Sequence, residues 1–167
     1  MDSYLERLQR ELESAIAGAT AAGLSQAPAG KWNAGQILEH LFLTYQQTNK
    51  GASKCLEGGA RLATAASVRH RIATILVVRL GYLPSGRKAP ERAVPRGMGG
   101  EEVRRAILPE IEKMESGLRA CEQTFGSRTK IMDHPMLGPL TAAEWRKFHW
   151  VHGWHHAHQI RQRLGKS

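Results

Sequence analysis

The sequence of 167 residues is poor in cysteine and has no long apolar run, and both shortages narrow the class of protein. Its two cysteines, Cys55 and Cys121, lie far apart and form no C-x-x-C pair, which argues against a thiolate metal site or a redox pair. We expect both to be buried, reduced thiols. The most apolar stretch, residues 72–78, contains Thr74 and is followed at once by Arg79, which excludes a membrane-spanning helix. We therefore expect no membrane partner.

The N-terminus lacks the basic start and the apolar block of a secretory signal, since residues 1–14, MDSYLERLQRELES, carry acids there. Nothing in the sequence indicates export, so we expect a cytoplasmic protein. A chain of this length is long enough to bury one core of ordinary size. We predict a single domain over residues 1–167.

Acidic residues are fewer than basic ones, and the formal net charge is +9. Such an excess favours contact with phosphate, because lysine and arginine release counterions from nucleic acid. The basic residues are nevertheless spread along the chain, most densely over residues 61–105, and no aromatic residues are interleaved with them as a stacking platform. We therefore expect no nucleic-acid partner.

Apolar residues at intervals of three and four predict five helices, and no alternating pattern indicates a sheet. The predicted ranges are residues 3–22, 33–58, 67–82, 101–124 and 141–164. Capping motifs mark three of the starts: Ser3 with Glu6, Asn33 with Gln36, and Thr141 with Glu144. Pro109 is expected to kink or split the fourth helix. This pattern predicts an all-α fold, a four-helix bundle with an additional short helix, in which inward-facing side chains can build a metal site.

Residues 83–100 interrupt the helical pattern with three prolines and four glycines. They are too irregular for a regular element and too long for a simple turn, so we predict a mobile loop or lid. Its basic residues, Arg87, Lys88, Arg92 and Arg96, could close over a site and attract an anionic substrate. A merely solvated loop is the alternative.

Five of the eight histidines lie within residues 148–163, FHWVHGWHHAHQIRQR. On a helix, one narrow sector contains Trp145, His149, His152, His156 and Gln159, whereas His158 projects away from it. Side chains four residues apart lie about 5–6 Å apart at Cβ, so His152 and His156 can converge on one divalent ion. Core histidines with separate hydrogen-bond partners are the alternative.

The pair is not a metalloprotease motif. Gly153 follows the first histidine where H-E-x-x-H has its glutamate base, so that mechanism has no residue to carry it out. A third ligand has to come from another helix, and His40 is best placed, beside apolar neighbours in the second helix. The competitors are weaker, because His70 lies among arginines and His134 precedes Pro135, where a capping or turn role is expected.

Three motifs carry a family resemblance. W-N-x-x-x-x-L-x-H-L spans residues 32–41, and H-P-M-L-G-P-L-T-A-A-E-W with H-x-x-H-H-x-x-Q-I falls within residues 134–160. They resemble the DinB/YfiT-like superfamily, and the late motifs are similar to an uncharacterised branch of it. The resemblance implies an often dimeric four-helix bundle that binds a divalent ion, commonly zinc or nickel, through His40, His152 and His156. Many relatives have H-R-G-Q where residues 156–159 are H-A-H-Q, and the adjacent His155 leaves open whether it replaces His156.

Three neutral imidazoles with an open position are the ligand set of a catalytic rather than a structural zinc site. Members of the superfamily are described as S-transferases and isomerases that use low-molecular-weight thiols, so the resemblance implies a metal-dependent thiol S-transferase. The alternatives are a non-catalytic, stress-associated metal-binding module and a metal-dependent hydrolase. No proton-transfer residue can be named, because Glu39 and Glu144 are the acids nearest the proposed ligands in sequence and Glu39 is expected to turn outward from His40.

Trp150 and Trp154 lie four residues apart on the face opposite the histidines. Two exposed indoles would be unusual on a monomer, so we predict that they pack against another helix or a second subunit of a homodimer. A helix covered on both sides within one bundle is the alternative.

Overall fold

A computed structural model describes residues 1–84 and 88–166, and this part of the chain is predominantly helical. Its six α-helices are α1 (Ser3–Ile16), α2 (Ala21–Ser25), α3 (Ala34–Glu57), α4 (Val68–Thr74), α5 (Gly100–Phe125) and α6 (Ala142–Arg163). An antiparallel hairpin of β1 (Met132–His134) and β2 (Gly138–Leu140) lies between α5 and α6. The predicted helical class is therefore correct, and the prediction of no sheet is wrong.

The first predicted helix is in fact two helices. The cap of α1 is Asp2, whose carboxylate accepts the backbone N–H of Tyr4, and not Ser3 as predicted. The helix ends at Ile16, before Gly18, whose φ of +69° lies in the left-handed region that glycine adopts without strain. Thr20 then caps the short α2.

The two helices that carry the predicted ligands begin as expected. Asn33 and Gln36 exchange both hydrogen bonds of a capping box at the start of α3. Thr141 and Glu144 do the same at the start of α6. Each box satisfies two backbone N–H groups that the start of the helix would otherwise leave without partners, and so fixes where the helix begins.

The third predicted helix is present but changes geometry halfway. Ser67 caps α4, which ends at Thr74, and the chain continues through a π-helical turn over Ile75–Arg79. The fourth predicted helix does not split at Pro109, because α5 runs through that residue without interruption.

The hairpin has strands of only three residues, which is too short to give a recognisable alternating pattern. His134 pairs with Gly138 at its turn end. Gly138 has a φ of +70°, and a Cβ atom there would collide with the imidazole of His70. Only glycine fits this contact between α4 and the hairpin.

The four long helices pack on one another around a shared apolar core: α3 contacts α5 and α6, and α1 contacts α6. Buried Arg146 on α6 adds an ionic contact to α5, where its guanidinium donates to Glu115 at 2.8 Å and to Glu122 at 2.9 Å. Both cysteines are buried free thiols, as predicted. Within residues 1–84 and 88–166, no helix combines the length and the hydropathy that crossing a membrane requires.

Candidate metal centre

The centre forms where α3 and α6 pack together. His40 lies in the second turn of α3 and is 4% exposed, while His152 lies near the middle of α6 and is 8% exposed. His156 follows one turn later and is half-buried. The capping boxes fix where α3 and α6 begin, and the packing of these two helices brings the three side chains together.

The three imidazoles point their Nε2 atoms at one another. The Nε2 atom of His152 lies 3.3 Å from that of His40 and 3.1 Å from that of His156. One ring nitrogen from each histidine lies within 4.8 Å of the other two. Two nitrogens bound to one tetrahedral zinc ion at about 2.0–2.1 Å are separated by about 3.3 Å. Both separations from His152 are close to this value, so three nearby histidines could hold one ion.

Hydrogen bonds on the far side of two rings fix their tautomers. The Nδ1–H of His40 donates to the carbonyl oxygen of Ala93 at 2.8 Å. The Nδ1–H of His156 donates to the amide oxygen Oε1 of Gln159 at 2.8 Å, with the amide oriented accordingly. Because a neutral imidazole has one N–H, both Nε2 atoms then carry lone pairs. Such partners are typical of metal-binding histidines.

Burial keeps the three rings neutral. Desolvation lowers the pKa of His40 from its ordinary value, although the bond to Ala93 opposes this. Desolvation also lowers the pKa of His152 strongly, and that of His156 to about 3, with further lowering from the neighbouring histidines. Neutral imidazole is the form that binds metal ions.

Aromatic rings wall the centre on two sides. The ring of Phe148 stacks on His152 at a centroid distance of 5.4 Å, and Trp32 lies 5.4 Å from His40. Both neighbours are largely apolar, so they limit the water around the three nitrogens and strengthen electrostatic interactions there.

Glu39 does not turn outward, as the sequence predicted, but is buried at 2% exposure. Its carboxylate accepts the backbone N–H groups of Arg96, Gly97 and Met98 at 2.7–3.2 Å. Helix geometry alone did not reveal this, because the partners come from an irregular segment about 57 residues away. The glycines and Pro95 were the sequence signal for this contact, because they indicate irregular backbone whose N–H groups need acceptors outside a helix or sheet.

The same contacts bear on the predicted lid. Arg87 lies outside the described residues, and Arg92 and Arg96 are exposed. Ala93 is buried against His40, and residues 96–98 are held by Glu39. This part of the segment is therefore fixed to α3 beside the centre, which a freely moving lid would not be.

The other histidines have different environments. His134 accepts the backbone N–H groups of Met136 and Leu137 through Nδ1, which is the turn role predicted for it. His155 contacts Gln159 through Nε2, and His158 is exposed. His70 packs against Gly138. Neither His70 nor His155 joins the three converging nitrogens among the described residues.

His149 is fully buried and lies in the same helical sector as His152, but it packs among core side chains instead of joining the three proposed ligands. Its Nε2 lies 2.9 Å from the hydroxyl of Thr48, and its ring stacks against Trp145. Burial lowers its pKa to about 3. This is the core histidine that the sequence offered as the alternative to a ligand, although its buried Nδ1 has no hydrogen-bond partner in the described part of the chain.

The two tryptophans on the outer face of α6 differ. The guanidinium of Arg7 on α1 lies 4.4 Å from the ring centroid of Trp150, which is partly buried against the core. Trp154 is 52% exposed. The packing predicted for the pair against another helix is therefore found for Trp150 alone.

Comparison with known proteins corrects the family. A family model described as "Protein of unknown function (DUF1569)" matches residues 10–163. This family is distinct from DinB/YfiT, so the resemblance inferred from residues 32–41 and 134–160 is wrong. The resemblance therefore no longer supports three expectations drawn from it, namely a zinc or nickel ion, a dimer and thiol transfer. No curated protein and no solved structure matches the chain.

Proposed function

Since the chain belongs to DUF1569, a family of unknown function, we propose its function from its own side chains: it binds one divalent transition-metal ion through His40, His152 and His156. The observation that carries this proposal is the convergence of three Nε2 atoms, two of them with lone pairs fixed by hydrogen bonds at Nδ1. The metal-dependent chemistry proposed below rests on this ion.

Without a cation the convergence is unfavourable. His152 has at most one proton on Nε2, and that proton faces two lone pairs, on His40 and His156. A cation among the three nitrogens satisfies all of them at once. His40 and His156 keep their Nδ1 partners when they bind it, so neither ring has to reorient.

The donor set favours particular ions. Three neutral nitrogens suit zinc, nickel, copper or iron, whereas magnesium and calcium prefer oxygen ligands. No carboxylate joins the three histidines among the residues that the structure describes. We propose zinc or nickel as the resident ion.

Three protein ligands leave a coordination position for an exogenous group, and an ion so held supplies a Lewis acid that can bind water or a thiolate. The protein side chains around it favour the thiolate. Both carboxylate oxygens of Glu39 accept backbone hydrogen bonds, so this acid is not available as a base toward water. Thiolate binding needs no such base, and we propose a low-molecular-weight thiol as the partner of a metal-dependent S-transferase.

A non-catalytic module is the competing function, because His40 on α3 and the pair on α6 would let one ion hold both helices together. The transferase and the non-catalytic module differ in whether an added thiol binds at the open coordination position. A thiol that enters the coordination sphere supports transfer chemistry, whereas an ion that ignores added thiol supports a structural role.

Cobalt substitution tests both steps. Apo protein titrated with Co²⁺ should give an intense tetrahedral visible absorption that reaches its maximum at one ion per chain. His156→Ala should abolish it, whereas His155→Ala, the matched control one residue away, should not. Glutathione, bacillithiol or mycothiol should then shift the spectrum, and turnover of an electrophile should disappear with His152→Ala. An unchanged spectrum and no turnover would exclude the transferase and leave the metal-binding module.

A further inference from the structure

An apolar face is exposed on the helical segment that precedes the irregular residues. Large apolar side chains that are 39–73% exposed concentrate within residues 68–82: Val68, Ile72, Ile75, Leu76, Leu80 and Tyr82. The segment combines α4 with the π-helical turn Ile75–Arg79. Ile72 follows Val68 by four residues, and Ile75 and Leu76 follow Ile72 by three and four, so these four side chains share one side of the helix. Leu80 follows Leu76 by four residues across the π-helical turn.

The opposite face attaches the segment to the rest of the protein. Val77 and Val78 are buried in the core, and Ala73 packs against it. The hydroxyl of Thr74 donates to the carbonyl of Leu137 beside the hairpin. The segment therefore has a fixed orientation, and its exposed face is not covered by the described part of the chain.

Within residues 58–90 the charge has one sign, and the carboxylate of Asp133 on β1 lies against Thr64 near the start of this stretch. No acidic residue occurs between Glu57 and Glu91, whereas six basic residues do: Arg61, Arg69, Arg71, Arg79, Arg87 and Lys88. Arg69, Arg71 and Arg79 are exposed on the segment itself. The exposed apolar side chains of the segment are thus interspersed with arginines, and no acid is nearby in sequence.

We propose that this face, residues 68–82, docks on the surface of a bilayer that contains anionic phospholipids. An interfacial helix places its apolar side chains at the boundary of headgroups and acyl chains and its cations among the phosphates. Arginine can extend its guanidinium toward the headgroups while its methylenes cover apolar surface. Tyr82, at the end of the segment, has the amphipathic ring that is common at this depth.

Charge complementarity selects this occupant over a second copy of the chain. Two copies joined through this face would place the same arginines opposite one another, and each chain carries a net charge of +9. An anionic bilayer neutralises those charges. The sequence led us to expect no membrane partner because it contains no membrane-spanning helix. Binding to the surface of a bilayer does not require such a helix.

Vesicle sedimentation tests the proposal with the intact protein. It should sediment with vesicles of phosphatidylcholine and phosphatidylglycerol, not with phosphatidylcholine alone, and high salt should weaken the binding. The double variant Ile72→Glu with Leu80→Glu should lose at least about tenfold in affinity, because two inserted apolar side chains become charged. Ser116→Glu with Gln123→Glu adds the same charge at exposed positions of α5 and is the matched control.

The control should retain most of its binding, and circular dichroism should show all three proteins equally folded. Equal sedimentation with neutral vesicles, or no loss in the Ile72→Glu/Leu80→Glu variant, would overturn the proposal. So would light scattering that shows a dimer in the wild type and a monomer in that variant, since this would assign the face to a second copy of the chain.

Discussion

The Nδ1 atom of His40 lies 2.8 Å from the carbonyl oxygen of Ala93, a residue 53 positions later in the chain. Because the carbonyl can only accept, Nδ1 carries the proton and Nε2 presents its lone pair to the other two histidines. Glu39, the preceding residue, holds the same segment through the backbone of residues 96–98. The segment over residues 93–98 thus orients the proposed ligand.

Replacing Glu39 tests this orienting role. In the wild type, both oxygens of Glu39 accept backbone N–H groups. In Glu39→Gln, the amide nitrogen replaces one of these oxygens and cannot accept, so at least one of the three hydrogen bonds is lost and the segment becomes less firmly held. We expect metal affinity to fall about 10-fold to 100-fold, the usual effect of removing a partner of a ligand. The free energy of unfolding should fall by about 1–3 kcal/mol.

Competition with a chromophoric chelator measures the first quantity and urea denaturation the second. Glu91→Gln changes an exposed acid two residues before this segment and should leave both quantities unchanged. Wild-type metal affinity in Glu39→Gln would show that the segment has no influence on the centre.

His149 should contribute to acid sensitivity. Burial lowers its pKa to about 3 in the folded state, with a smaller effect of His134, against about 6.5 when unfolded. Unfolding therefore takes up a proton below about pH 6.5, and stability falls as pH decreases from there toward 3. Between pH 7 and pH 5 the metal-free wild type should lose about 2 kcal/mol more than His149→Gln.

Urea denaturation at several pH values gives this difference as a change of slope, independent of the stability of each variant at neutral pH. His158→Gln alters an exposed histidine and should retain the wild-type slope. An identical slope for His149→Gln would mean that His149 is already protonated in the folded protein.

Close packing of α1 on α6 should depend on Gly153. A Cβ atom at this position would collide with Cδ1 of Leu8, which is fully buried and cannot move into solvent. Gly153→Ala should therefore lower the free energy of unfolding by about 1–3 kcal/mol through overpacking.

A double-mutant cycle separates the collision from other effects of alanine. Leu8→Ala alone leaves a cavity, whereas in the double variant with Gly153→Ala it also removes the collision. The losses of unfolding free energy in the two single variants should therefore sum to more than the loss in the double variant. Additive costs in thermal or urea unfolding would contradict the contact.

The three histidines could be grouped from the sequence because helical periodicity places His152 and His156 on one side, and His40 lies on an apolar stripe of another helix. Periodicity alone left His155 open as an alternative to His156, because residues three apart on a helix can also meet. The hydrogen-bond partners Ala93 and residues 96–98 could not be predicted, because their contacts span more than 50 residues and come from irregular chain. Local patterns contain no information about such contacts.

The fold was limited in the same way. Capping boxes at Asn33 and Thr141 fixed the starts of α3 and α6, because these hydrogen bonds are local. The end of α1 at Ile16 was missed, since apolar spacing continues past a break that depends on the backbone at Gly18. The DinB/YfiT resemblance was wrong although its motifs include the three histidines, so shared ligand spacing did not identify the family.

Metal content is the most direct test of the proposed centre. The protein is purified without an affinity tag, loaded with zinc and freed of excess ion. Inductively coupled plasma mass spectrometry should then find one zinc ion per chain. His155→Ala and His158→Ala should retain that stoichiometry, and His40→Ala, His152→Ala and His156→Ala should each lose it while remaining helical. A wild type that binds no ion, or a His152→Ala variant that keeps a full equivalent, would contradict the three-histidine site.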